Sequence, residues 1–229
     1  QRPQNTVVEN NFFWNLQMTN AGGFNSLARF GYVSGRRHDN SRVINNTFYV
    51  TTSVGGAFAV IGDTPSGGTN SHYAEISNNI IVKTSNTARP IFSFPLIGTT
   101  GIPALTDANC FWDTSGGPFS QGQVAAANLT AWQTATGQDA NSFAFDPLLA
   151  SPTTGDLHLS ALSPCINASA VPSGVMDDID GESRLGQVPD VGADEYGAGC
   201  ATAEFQVNTN LSTVTLDGVQ ATQCTGAVT

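Results

Sequence analysis

The sequence predicts an all-β fold, a right-handed parallel β-helix of about four or more coils, and three observations predict it. The first is a repeat. An apolar–x–Asn–Asn–x–apolar pattern occurs as Val8-Glu-Asn-Asn-Phe-Phe13, Val43-Ile-Asn-Asn-Thr-Phe48 and Ile76-Ser-Asn-Asn-Ile-Ile81, with a degenerate copy at Thr106-Asp-Ala-Asn-Cys-Phe111. The second Asn of each copy falls at Asn11, Asn46, Asn79 and Asn109, in steps of 35, 33 and 30 residues. A fixed period in this range marks a repeat architecture. The second observation is a further apolar block between consecutive Asn pairs, in 26–33, 56–61 and 90–97. Each period therefore holds three short strand candidates, and none has sustained helical periodicity. The third is composition: charged residues make up 11% of the chain, against about 25% in an average soluble domain. Asn, Thr, Ser and Gly replace them, which suits stacked strands joined by polar turns.

The Asn pairs have a physical role at the corner between two strands. The chain must leave the β region there, and Asn tolerates the left-handed conformation better than other non-Gly residues. Stacked from coil to coil, about 4.8 Å apart, the amides of Asn11, Asn46, Asn79 and Asn109 form a hydrogen-bonded ladder. Val43 and Phe48, on either side of one pair, point inward. The repeats occupy residues 1–113, and four coils make a stub about 20 Å tall.

After the repeats, Asn128-Leu-Thr-Ala-Trp-Gln-Thr-Ala-Thr-Gly137 carries Leu129, Trp132 and Ala135 at helical spacing. Asn128 reads as the N-cap and Gly137 as the stop of one short helix, with Trp132 as its packing anchor. Phe143, Phe145 and Leu148, and then Leu157 and Leu159, alternate as strands do. Residues 198–229 read as a tail of short strands bracketed by Cys200 and Cys224, appended to a β-helix of residues 1–197 with a C-terminal closing segment.

Charge and cysteines narrow the function. The net charge is −10 with a single lysine, Lys83, so no surface tracks phosphates and nucleic acid is not an expected partner. No apolar run is long enough to span a membrane. The chain begins at Gln1 without a signal peptide and reads as processed or excised from a longer precursor. Cys110, Cys165, Cys200 and Cys224 lack Cys-x-x-Cys spacing, which argues against zinc or thioredoxin-type chemistry. An even count in an exported chain favours disulfides, Cys200–Cys224 across the tail and Cys110–Cys165 by elimination; four buried thiols is the other reading.

Candidate sites are few. Gly35-Arg-Arg-His-Asp39 is the one basic cluster, and Arg36, Arg37 and His38 are the candidates for gripping or acting on an anionic sugar, because guanidinium matches carboxylate geometry. His72 and Tyr73, at the end of a long polar loop, are further binding candidates. Seven acids fall within residues 177–195. Asp178-Ile-Asp-Gly resembles part of a calcium loop, with Asp178 and Asp180 as ligand candidates, although Met176 occupies the position of the first ligand. The competing reading is an Asp-Gly turn with Arg184 paired to one of the acids. His158 alternates with Leu157 and Leu159, and so faces outward without an expected ligand role.

The ordered set Trp132-Gln-Thr-Ala-Thr-Gly-Gln-Asp-Ala-Asn-Ser142, Asp146-Pro-Leu-Leu149, Gly155-Asp-Leu-His-Leu159, Ser163-Pro-Cys-Ile-Asn167, Asp178-Ile-Asp-Gly-Glu-Ser-Arg184 and Asp190-Val-Gly-Ala-Asp-Glu-Tyr196, together with the Asn pairs, resembles a bacterial family of exported right-handed parallel β-helix repeat proteins. The resemblance covers about residues 5–197. It implies that the 132–196 set closes the C-terminal end of the solenoid. The family usually has Ala at the position of Cys165 and Asp at that of Asn167, and the first departure strengthens the case for an added disulfide. It further implies an extracellular or cell-surface, secreted protein linked to polysaccharide, some relatives being lyases or hydrolases and others surface or adhesive proteins. The expected function is a structural or surface-interaction protein that self-assembles, as an exposed coil edge would drive, or binds polysaccharide. The alternative is a carbohydrate-active enzyme acting around Arg36–His38 or through coils further upstream.

Overall fold

The computed structural model describes residues 5–14, 25–29, 39–51, 57–62, 72–84, 90–94, 103–122 and 124–197. Twelve short strands form four layers of three: β1 (Val7–Glu9), β2 (Phe12–Trp14) and β3 (Asn25–Arg29); β4 (Asp39–Ile44), β5 (Thr47–Val50) and β6 (Ala57–Gly62); β7 (His72–Ser77), β8 (Ile80–Lys83) and β9 (Phe92–Phe94); β10 (Leu105–Asp107), β11 (Cys110–Asp113) and β12 (Ser120–Gly122). Each layer gives one strand to each of three four-stranded sheets, ordered β1-β4-β7-β10, β2-β5-β8-β11 and β3-β6-β9-β12. All pairing in these sheets is parallel. The repeat sets the register: Val8 pairs with Val43 and Val43 with Ile76, while Phe13 pairs with Phe48, Phe48 with Ile81 and Ile81 with Phe111. The three-strand period read from the Asn pairs is the period of the fold.

The two residues of each Asn pair divide the work at the corner. The first takes the left-handed conformation, at Asn10, Asn45 and Asn78 (φ 52°, 50° and 55°), and Ala108 does so in the degenerate copy (φ 52°). The second builds the ladder. Asn11 Nδ2 donates to Asn46 Oδ1 (3.0 Å), Asn46 Nδ2 to Asn79 Oδ1 (3.1 Å) and Asn79 Nδ2 to Asn109 Oδ1 (3.0 Å). Each acceptor also receives the backbone N–H of the preceding Asn, at 2.9 to 3.1 Å. The ladder continues past the last Asn, because Asn109 Nδ2 donates to Asp139 Oδ1 (3.2 Å) and Asn109 N to Ser142 Oγ (2.8 Å). Asn46, Asn79 and Asn109 are fully buried, so these bonds replace the water the amides lose.

The inner faces of the three sheets share one hydrophobic cluster. It includes Val43 and Ile76 from the first sheet, Phe48, Ile81 and Phe111 from the second, and Ile61, Phe92 and Phe94 from the third. Helix α1 (Leu129–Thr136) follows β12 and drops Trp132 into the same cluster, among Phe92, Phe94 and Phe119. Asn128 caps it by accepting from Ala131 N at 2.9 Å, and Gly137 ends it at φ 70°. Cap, stop and anchor are those the sequence predicts.

Beyond the helix the chain turns along the outside of the second sheet. A hairpin of β13 (Leu149–Ser151) and β14 (Asp156–Leu159), joined through a 3-10 turn at Pro152–Thr154, starts this cover. A second apolar cluster joins the outward side chains Tyr49, Ile80, Val82 and Cys110 to Leu157, Leu159, Cys165 and Val191. β5 and β8 are therefore buried on both faces, which is why Ile80-Ile81-Val82 is apolar without alternation. Segment 161–197 also hydrogen-bonds the corners: Gly192 N donates to Asn78 O (2.8 Å), Ala193 N to Thr47 Oγ1 (3.1 Å) and Asn78 Nδ2 to Val171 O (2.7 Å). The set expected to close one end thus splits in two. Residues 129–145 sit beyond the β10–β12 layer, and 149–196 cover its flank.

One expected strand is absent. Phe143, Phe145 and Leu148 do not form a strand: Phe143 makes a single bridge to Cys110, Phe145 is exposed, and Leu148 has φ 49°. Pro147 removes a strand donor there, and Asp146 Oδ1 takes Leu148 N in a turn (2.9 Å). The 198–229 tail, with Cys200 and Cys224, lies outside the described residues.

Candidate functional site

The catalytic candidates Arg36, Arg37 and His38 lie outside the described residues. The backbones of His72 and Tyr73 belong to β7, where they pair with Asp39 and Ser41. Two other basic residues of the repeats are tied down. Arg42 Nε meets Glu75 Oε2 at 2.7 Å while its Nη2 donates to Ser173 O (2.9 Å). Lys83, buried, meets Asp113 Oδ2 at 2.9 Å and donates to Ser115 Oγ (2.6 Å).

The acidic segment 177–195 folds into two functional halves. One half is buried scaffold. Arg184 and Glu195 form an ion pair, both almost fully buried. Arg184 also donates to Asp190 O, Gly192 O and Asn10 Oδ1 (3.3, 3.0 and 3.3 Å). Glu195 Oε1 further accepts Asp190 N (2.7 Å) and Oε2 accepts Gln187 Nε2 (3.0 Å). Burial pushes the pKa of Glu195 up to about 7, more than Asp190 N and Arg184 pull it down; burial likewise lowers that of Arg184 and raises that of Asp190. Asp178 belongs to this half. Its Oδ1 accepts Asp180 N (2.9 Å) and Glu182 N (2.7 Å), and its Oδ2 accepts Glu195 N (3.0 Å). Asp178 thus caps an Asp-Gly turn, with Gly181 at φ 84°. The turn-and-Arg184 reading is the one realised.

The other half is partly open and gathers around His158, where a ligand role was not expected. On β14, Asp156 and His158 are two residues apart and so share a face. Asp156 Oδ1 lies 2.6 Å from His158 Nδ1, and Asp180 Oδ2 lies 2.8 Å from Nε2. The Phe12 ring of β2 meets the imidazole edge-on, centroids 5.0 Å apart at 88°. Asp194 reaches in from the buried side: 5% exposed, it accepts Leu159 N at 2.7 Å through Oδ2. One ligand atom each from His158, Asp180 and Asp194 lie within 4.8 Å of one another. Burial drives the pKa of Asp194 up to about 6, against the Leu159 N–H and the His158 charge. Burial disfavours a charged His158, but its bonds to Asp156 and Asp180 and the charges of Asp194 and Asp180 outweigh that and raise its pKa. That of Asp156 is lowered by its bond to His158. Of the two calcium candidates, Asp180 is at this cluster. The signal sequence reasoning could have used is Asp156-Leu-His158, a carboxylate and an imidazole on one face of a strand.

Cys110 and Cys165 are free and fully buried in the outer cluster. The disulfide expected between them is not formed, and both are thiols: their mutual hydrogen bond is the first cause that raises the Cys110 thiol well above its usual value, with burial next. Cys110 Sγ also donates to Phe145 O at 3.4 Å. No family model and no curated protein matches the chain. No helix among the described residues is long and apolar enough to cross a membrane.

Proposed function

We propose that the three parallel sheets close into a right-handed parallel β-helix, and that the protein is an extracellular or cell-surface structural and interaction module of the exported β-helix repeat class. The observation that carries this reading is the Asn11–Asn46–Asn79–Asn109 ladder running on into Asp139 and Ser142. Its amides bond to one another and to the backbone, so it acts as a spine rather than a binding surface. Right-handedness follows the general preference of parallel crossovers. The resemblance of the 132–196 set and the low charge support export and contact with polysaccharide.

Stacking of chains end to end through strand edges, or docking of a glycan at Arg36, Arg37, His72 and Tyr73, is how such a module works. The test is sedimentation and electron microscopy of the native chain across a concentration series, with binding to a panel of acidic and neutral polysaccharides in parallel. Concentration-dependent rods or glycan retention support the reading. A chain that stays monomeric, binds no glycan and releases unsaturated uronate, followed by ultraviolet absorbance, sinks it in favour of a lyase.

A further inference from the structure

We propose that His158, Asp180 and Asp194 bind one divalent transition-metal cation of the zinc class, with Asp156 orienting the imidazole. The site goes beyond the structural reading and does not depend on it. The ligand atoms come from two distant stretches of chain. β14 supplies His158, and the acidic segment supplies Asp180 and Asp194 as it folds over the second sheet.

The arrangement is that of a metal-binding histidine. Ligating imidazoles generally donate their second N–H to a carboxylate, which fixes the tautomer and aims the free nitrogen at the metal. Asp156 Oδ1 at 2.6 Å from Nδ1 supplies that carboxylate. Nε2 is left facing Asp180 Oδ2 at 2.8 Å. The Phe12 edge fixes the ring from the side.

Asp194 is the independent observation. It is a carboxylate 95% buried, and among the described residues the donor shown to it is Leu159 N, on Oδ2. A buried carboxylate calls for a cation, yet the nearby guanidinium of Arg184 pairs with Glu195. A cation that compensates Asp194 reaches it from the open side, where His158 and Asp180 stand.

The donor set selects the metal. One imidazole nitrogen with two carboxylate oxygens suits zinc and its neighbours, whereas calcium takes oxygen ligands alone. Bonds of about 2.0–2.2 Å put two ligands at most about 4.4 Å apart, so a set within 4.8 Å closes by a small movement of Asp180, whose side chain is half exposed. Three protein ligands leave a fourth position for water or for an oxygen of a partner.

The full 229-residue chain, stripped with a chelator, is titrated with zinc chloride by calorimetry and with cobalt chloride by visible absorption. One zinc per chain and ligand-field bands of four- or five-coordinate cobalt are expected. Asp180→Asn and His158→Gln should each weaken binding by about tenfold or more. Asp156→Asn should weaken it by about 10- to 100-fold, as outer partners do, with the stoichiometry unchanged. Far-ultraviolet circular dichroism checks that each variant folds, and the open position of Asp180 makes its variant the safest. Zinc bound equally by wild type and variants, as cysteines or other histidines would bind it, overturns the proposal. So does no binding at all, or calcium binding that zinc fails to displace.

Discussion

Trp132 donates its indole N–H to Asp139 Oδ2 at 2.8 Å, and both residues are fully buried. The same carboxylate ends the Asn ladder, since Asp139 Oδ1 accepts from Asn109 Nδ2 (3.2 Å) and Ser142 Oγ (2.5 Å). Asp139 therefore joins the helix to the spine of the repeats. Asp139→Ala leaves three buried donors without an acceptor. A buried donor left unsatisfied costs about 1–3 kcal/mol, so this variant should lose about 3 kcal/mol or more in urea unfolding. A loss below about 1 kcal/mol would mean that the three donors find other partners.

The ladder should be graded along its length. Asn79 accepts from Asn46 N and Nδ2 and donates to Val43 O, Ser77 O and Asn109 Oδ1, all in the interior. Asn11 is half-buried and acts as a donor to Asn46 Oδ1 and to Glu9 O. Asn79→Ala should cost about 3 kcal/mol and Asn11→Ala about 1 kcal/mol, by the same cost per orphaned group. Equal losses at the two positions would show that the amides do not act as a connected ladder.

The flank cover depends on Gly192. Its φ is 108°, and a Cβ there would lie 2.6 Å from Ile80 Cδ1 and 3.0 Å from Thr47 Oγ1. Gly192 N also holds Asn78 O, and Asn45 Nδ2 donates to Gly192 O at 3.4 Å. Gly192→Ala should therefore lift segment 161–197 off the second sheet. We expect a stability loss of about 2–4 kcal/mol, from backbone strain and crowding together, and faster proteolysis within 161–197 than within the repeats. A variant with wild-type proteolysis would place the anchor of the segment elsewhere.

What the sequence made legible is what repeats. Asn11, Asn46, Asn79 and Asn109 recur at steps of 35, 33 and 30 residues, so each copy corroborates the others, and the parallel register Val8–Val43–Ile76 follows from them. The helix was legible because Asn128 and Gly137 act locally. The lateral course of 149–197 was not, because nothing local tells whether Leu157 and Val191 cover an end or the outward side of Ile80 and Val82. The double-sided burial of β8 was written in Ile80-Ile81-Val82, which fails to alternate. The cluster at His158 escaped for the same reason: Asp180 and Asp194 reach it through tertiary folding, and Asp178, the more prominent match, spends its oxygens on backbone N–H groups.

Stability of the metal-free protein should fall as pH rises from the acid side to neutrality. Burial raises the pKa of Glu195 from 4.5 to about 7 and that of Asp194 from 3.8 to about 6, and it raises those of Asp139 and Asp190. Each carboxyl holds its proton in the folded chain at a pH where the unfolded chain has released it. The stability this provides is complete below the unfolded pKa and is lost as pH climbs to the folded one. His158, raised by Asp156 and Asp180 despite its partial burial, loses its contribution in the same direction as pH passes its own raised pKa. Asp156 works the other way, and only as pH drops below 3.8. Urea midpoints measured in the presence of a chelator should therefore decline between about pH 4 and pH 7. The summed change should be on the order of 2–3 kcal/mol or more, because each retained proton is worth about 1.4 kcal/mol for every pH unit over which the folded chain alone holds it. A midpoint that rises over this window would mean that the buried carboxyls are ionised in the folded state, with Arg184 and the surrounding N–H groups outweighing desolvation.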